Sequence, residues 1–302
     1  MQRASAREEI SLEYFDISNL TDGQISAELS ALQFQHKLFQ RELGTLLPRK
    51  IQPDAIQIVL DLICSAGTWC IDFSKQYPNR QIYGVDMSER ILTHTNEYLA
   101  PLHINNIHLR AARSLPLTMF ADETFDLIHF VNGASLFPLV QWPAIMAELY
   151  RLLKPGGWLY LVDFEMGPVS TPALDRVLTI LAQSMVRIGR SSSPNGMLPF
   201  NGCAFGPQRM AEQSFTEISY RLSPVNLGGW NNPAGRAYLT SHVVKPEIIM
   251  GYALATGVIS SPEELQPLLR EMLREIQQIG FCGVGMLISA IGRKPLVEFI
   301  QQ

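Results

Sequence analysis

The chain has 302 residues, 47% of them apolar and 17% charged, a globular composition that excludes disordered, collagen-like and coiled-coil architectures. Its 24 basic and 28 acidic residues leave a formal charge of −4, without the basic excess of a nucleic-acid-binding surface. Cys64, Cys70, Cys203 and Cys282 form no C-x-x-C pair, the amino terminus has no apolar signal core, and the apolar stretches at 248–259 and 279–291 are too short to span a bilayer. A cytoplasmic protein with free thiols and no membrane partner is expected.

Ile25, Leu29, Leu32, Phe39 and Leu43 recur at helical spacing and share a face with His36, which predicts an amphipathic helix over about 26–47. The run IQIVLDLI at 56–63 reads as a buried parallel strand feeding a turn, CSAG. Helix and strand signals then alternate: helix 68–76, strand 81–85, helix 88–99, strand 107–111, strand 125–131, helix 142–153, and strand 158–164 after a stop at Pro155-Gly156-Gly157. Strands separated by single helices require right-handed crossovers, hence a parallel sheet covered on both faces. From about 189 to 235 the texture becomes rich in Ser, Pro, Asn and Gly, interrupted by a strand at 215–222. Ser261 to Glu264 is a capping box with Pro262 at the first helical position, opening a helix that Gly280 ends, and 283–291 supplies a last strand.

Strand, turn of small residues, helix, next strand, then an acidic residue is the layout of a nucleotide crevice in an open α/β sheet. Asp61 to Gly67, followed by Asp86, fits it. Backbone N–H groups at the helix start face an anionic group, and a carboxylate at the end of the second strand accepts from ribose hydroxyls.

The segments VLDLICSAGTWCIDF (59–73), IYGVDMS (82–88), SLPLTMFADETFDLIHF (114–130) and ELYRLLKPGGWLYLVDF (148–164) together resemble class I S-adenosylmethionine-dependent methyltransferases, most of all the quinone-biosynthesis and secondary-metabolite small-molecule type. The resemblance implies a Rossmann-like, seven-stranded, mostly parallel sheet with helices on both faces. An N-terminal helical arm or lid would occupy 1–50 and the methyltransferase domain 51–302, with a substrate-binding insertion at about 165–260 before the last strand. The implied cofactor is S-adenosylmethionine, with S-adenosylhomocysteine as product. Its methionine end would lie on Asp61, Ile63, Ser65 and Gly67, its ribose on Asp86, its adenine beside Met87, Ala111 and Ala112, and its sulfonium near Asn132, with Trp69 at the methionine end or the substrate.

Two departures stand out. Ile63 and Ser65 occupy positions where the family usually has glycine, and Ala111 stands where it commonly has aspartate. Methyl transfer needs a base only if the acceptor must lose a proton. His129, near the end of the fourth long strand, and Glu165, just past the fifth, are the candidates. Tyr14, His36, Trp230 and His242 are candidate substrate contacts. No cluster has metal-ligand spacing, so no metal is expected.

These readings imply methyl transfer to a small, fairly apolar metabolite of secondary metabolism. The alternative is a methyltransferase-like protein that has abandoned transfer for another ligand or for a non-methylating reaction such as a cyclisation. The sequence leaves the oligomeric state open, a homodimer included.

Overall fold

The computed structural model describes residues 10–11, 21–191, 205–229 and 232–296. A short strand β1 (Ile10–Ser11) precedes helix α1 (Asp22–Leu43). Thr21 caps α1: its hydroxyl accepts from the Gln24 N–H while the Gln24 side chain accepts from the Thr21 N–H. Gly44, left-handed at φ +75°, ends the helix four residues before the expected limit.

The strand–helix alternation follows: β2 (Ile58–Leu62), α2 (Thr68–Gln76), β3 (Gln81–Asp86), α3 (Glu89–Leu99), β4 (Ile107–Ala111), β5 (Ser114–Leu115), β6 (Phe125–Val131), α4 (Gly133–Leu136), α5 (Trp142–Leu152) and β7 (Leu153–Val169). Then come α6 (Pro172–Arg187), α7 (Gly206–Glu212), β8 (Thr216–Asn226), α8 (Pro233–Tyr238), α9 (Pro246–Ala255), α10 (Pro262–Ile276) and β9 (Gly283–Arg293). β1 pairs antiparallel with β5.

The main sheet has seven strands in the order β4-β3-β2-β6-β7-β9-β8, parallel from β4 to β7, with β9 antiparallel to both of its neighbours. Alternate residues of each buried strand feed opposite faces. Val59, Leu127, Tyr160 and Val162 join Phe39, Phe73, Leu178 and Leu269 on one side, and Leu60, Ile128, Phe130 and Leu161 join Trp142 and Leu149 on the other. Each of these large apolar side chains contributes about 1.5–3 kcal/mol by burial.

Two expectations change. Pro155-Gly156-Gly157 does not interrupt the chain between helix and strand; it lies inside β7, where Gly156 donates to Lys294 O and Lys294 donates back to Gly157 O. Among its described residues the span 165–260 holds four α-helices, and α6 is tied to α10 because Glu275 accepts from the first-turn N–H groups of Ala173 and Leu174 at 2.9 and 3.4 Å.

The chain leaves β2 toward β3 and β4, then returns to the other side of β2 to make β6 and β7. The crevice at the carboxyl ends of β2 and β6 is therefore the topological switch point, where open α/β sheets bind their ligands.

Candidate active site

A cavity of about 300 Å³ opens at that point. Its floor begins at the turn after β2. Cys64 N–H donates to Val85 O, Gly67 N–H to Cys64 O, and Ser65 N–H to the Asp86 carboxylate at 2.9 Å. These bonds hold Ile63, Ser65 and Gly67 at φ of +58°, +50° and +64°, all left-handed. A glycine-type backbone has thus been kept where two of the three residues are not glycine. For a β-branched residue such as Ile63 this conformation is unusual, and positions of this kind cost about 1–3 kcal/mol each. At the third position glycine is required, because a Cβ on Gly67 would stand 2.9 Å from Thr95 Cγ2.

Asp86 closes the turn. Its carboxylate accepts from Ser65 N–H and, at 3.1 Å, from Ser88 N–H, and it lines the cavity with Met87. Burial pushes it up to about 6, against the lowering effect of those amides. Asp61 lies deeper. One oxygen meets His129 Nδ1 at 2.7 Å and the other accepts from the Cys70 thiol at 3.2 Å. Burial, reinforced by Asp61, keeps that thiol well above its ordinary pKa, so it acts as a donor. Trp69 lies flat on His129, with centroids 4.1 Å apart and ring planes 13° from parallel.

The roof is made by α1 and the 233–255 segment. Gln35 donates to the Tyr238 hydroxyl at 3.3 Å and accepts from Asn132 at 3.4 Å. Glu28 pairs with Lys245, and His36 Nε2 meets Asp72 of α2 at 2.9 Å, a contact that holds the Asp72 carboxyl below its usual value. Phe39, Phe164 and Tyr238 pack together with centroids 5.1–6.1 Å apart, giving this half an apolar wall.

Of the residues singled out from sequence, Asp61, Ile63, Ser65, Trp69, Asp86, Met87, His129, Asn132 and His36 line this one cavity. Gly67 shapes its turn without lining it, and Ala111 and Ala112 do not line it; the Ala112 N–H donates to Asp86 O at 2.9 Å. Glu165 is not in a loop: it pairs with Met286 inside β7, on the opposite sheet face from the cavity-lining Val162 and Phe164. Tyr14, Trp230 and the side chain of His242 lie outside the described residues. Gln35, Glu28 and Lys245 line the cavity without having been expected; as polar residues near amphipathic helices they carry no local signal. Among the described residues no His, Cys, Asp and Glu group could hold a metal, and no helix is long and apolar enough to cross a membrane.

Sheet order, switch-point cavity and an acid at the end of each of the first two long strands define the class I S-adenosylmethionine-dependent methyltransferase fold. Residues 59–157 match the methyltransferase-domain family. The chain is 26% identical over 175 residues to the secondary metabolism regulator laeA of Aspergillus fumisynnematus, a match covering 57% of this chain and 43% of that protein. It is 30% identical over 106 residues to the demethylmenaquinone methyltransferase of Listeria monocytogenes, covering 35% of this chain and 44% of that enzyme. The chain thus spans less than half of either relative. Among solved structures, the phosphoethanolamine N-methyltransferase 2 of Haemonchus contortus, determined with S-adenosyl-L-methionine, shares the fold at a TM-score of 0.51 and 15% identity, over 94% of this chain and 60% of that one.

The residues present fit such a cofactor. Thr68 Oγ1 and Trp69 Nε1, at the start of α2 and on cavity-lining residues, are buried polar atoms with no hydrogen-bond partner. A buried donor without a partner costs about 1–3 kcal/mol. The first-turn amides of α2 also have no intrahelical acceptor. Together these groups suit a carboxylate, and Asp86 suits vicinal hydroxyls.

Proposed function

We propose that this protein binds S-adenosylmethionine over the 61–69 turn and transfers its methyl group to a small, fairly apolar acceptor held under α1. The observation that carries the reading is the turn itself: Ile63 and Ser65 keep left-handed backbone beneath a cavity, a strain that a mere strand-to-helix connection does not need.

When bound, the sulfonium supplies an already activated methyl group, so the protein's main task is positioning. Asp86 would accept from the ribose hydroxyls, Met87 and Ile91 would flank the adenine, and the start of α2 would receive the carboxylate. The acceptor would sit between Asn132, Gln35 and the Phe39–Phe164–Tyr238 wall. The ionisable roof groups are already partnered, Glu28 with Lys245 and His36 with Asp72, so an uncharged acceptor suits this half; a charged one would lose hydration without gaining a partner. The likeness to secondary metabolism regulators supports a place in secondary metabolism.

A second reading rests on Ile63, whose side chain lines the cavity where glycine would leave space: the crevice takes another ligand and does not transfer methyl groups. Calorimetry with S-adenosylmethionine and S-adenosylhomocysteine separates the two. The first reading expects saturable binding of both; absence of binding at millimolar ligand leaves the second.

A further inference from the structure

Ile248 and Tyr252 stand one turn apart on α9, and both line the cavity. The Tyr252 hydroxyl oxygen accepts from Arg190 Nη1 at 2.9 Å, and the same nitrogen donates to Ser135 O at 3.3 Å. Gly189, left-handed at φ +72° just past α6, turns the chain there, and its carbonyl accepts from Leu139 N–H at 2.7 Å. Among the described residues Arg190 has no carboxylate partner, and its Nε is buried without an acceptor. The guanidinium takes a lone pair of the phenol oxygen, so Tyr252 has its own O–H left to offer, and no described residue accepts it. A cation on the oxygen polarises that O–H and makes it a stronger donor than a lone tyrosine.

This group lies on the far side of β6 from the 61–69 turn. After β6 the chain leans on β7, with Asn132 N–H donating to Val162 O at 2.7 Å and Ala134 N–H to Asp163 Oδ1 at 3.0 Å, and Ser135 follows. The strands that carry the turn and Asp86, β2 and β3, stand on the other side of β6. We propose that Tyr252 reads the methyl acceptor by donating its O–H to a carbonyl oxygen, with Arg190 as the positioning residue that holds and polarises the phenol. A carbonyl oxygen only accepts, which matches a pair that only donates; an alcohol would bring a further proton and find no acceptor for it here. The acceptor is then an uncharged, largely apolar molecule that carries a ketone, ester or amide carbonyl. No proton leaves Tyr252. The assignment rests on the methyl-transfer reading above and names the acceptor's class.

The probes are acetophenone and ethylbenzene, similar in shape and different by one carbonyl oxygen, each added to the full chain saturated with S-adenosylhomocysteine. In ligand-observed NMR titrations, Tyr252→Phe weakens acetophenone about three- to tenfold and leaves ethylbenzene and S-adenosylhomocysteine within about twofold. Equal losses for both probes, no loss for acetophenone, or no acetophenone binding to the unaltered protein at millimolar concentration overturns the assignment. A measurement on the unaltered protein guards against misfolded variants. In isotope-edited infrared spectra the carbonyl stretch of bound acetophenone should fall below its value in an apolar solvent. The fall should shrink in Arg190→Met and vanish in Tyr252→Phe, and a stretch unshifted in the unaltered protein overturns the assignment. If S-adenosylhomocysteine does not bind, the cofactor reading falls and takes this acceptor role with it. If it binds and only the effect on the carbonyl probe is missing, the Tyr252 assignment alone falls.

Discussion

Beneath the cavity, Asp61, Ser65, Trp69, Asp86, His129 and Asn132 all come from residues 61–132, whereas above it Gln35 meets Tyr238 across 203 positions and Glu28 meets Lys245 across 217. The floor is built by consecutive strand–turn–helix units whose side chains are brought level by the parallel sheet register. The roof is built by pairs that meet only after the chain has folded. The floor should therefore decide whether a ligand binds, and the roof how fast it comes and goes and what shares the cavity with it.

The largest expected effect tests the floor. Asp86→Asn should weaken S-adenosylhomocysteine about 10- to 100-fold, because a charged acceptor is lost from a buried site. With Asp86 raised to about 6, affinity in the unaltered protein should also fall as pH drops through that value, since protonation removes an acceptor from the ribose hydroxyls. The variant should lack this pH dependence, and calorimetry at pH 5 and 7.5 checks both points.

Next in size is the strain in the turn. Ile63→Gly relieves a left-handed isoleucine, worth about 1–3 kcal/mol, against about 0.5–1 kcal/mol for the added freedom of glycine in the unfolded chain. Ile63 is also buried in the apolar core, and losing that burial costs about 1.5–3 kcal/mol. Net destabilisation on the order of 1 kcal/mol is expected in urea unfolding, and stabilisation would mean that the backbone strain outweighs the packing of the Ile63 side chain.

Thermal stability against pH comes third. Asp86 and Asp163 are both raised to about 6, burial being the main cause. An acid whose folded pKa lies above its unfolded value binds extra protons on folding between about pH 4 and 6. Their combined ionisation cost is thus absent below that window and complete above it. Asp163→Asn, which keeps an oxygen for the Ala134 N–H, should raise the melting temperature at pH 8 more than at pH 4.5.

The smallest equilibrium effect belongs to the roof. Lys245→Met removes a partly exposed ion pair worth about 0–1 kcal/mol. Stopped-flow dissociation of S-adenosylhomocysteine should nonetheless quicken several-fold, with little change in melting temperature. An unchanged rate would show that α1 does not gate the cavity.

The same contrast explains what could be read from the sequence. Helix 68–76 and strands 107–111 and 125–131 match the structure because their boundaries are set by local patterns, β-branched runs and turn residues. Asp61, Ile63, Ser65, Trp69, Asp86 and Met87 follow from the turn after β2 and the end of β3. The Asp61–His129 contact was less visible: each residue sits on a strand, and only the β2–β6 register shows that they share a level and a face. Glu165 was misjudged because nothing in WLYLVDFEM marks where β7 ends; antiparallel β9 carries its pairing on to Met166 and, past a register shift, to Val169. Gln35 and the Glu28–Lys245 pair had no local signal, since their partners lie some 200 positions away.

The most direct test of the account is a crystal structure of the protein soaked with S-adenosylhomocysteine. The ribose hydroxyls are predicted on Asp86, the carboxylate at the start of α2 near Thr68 and Trp69, and the Ile63 side chain turned along the ligand's amino-acid end. A crevice still empty at saturating ligand, with Ile63 filling the space over the turn, would contradict it.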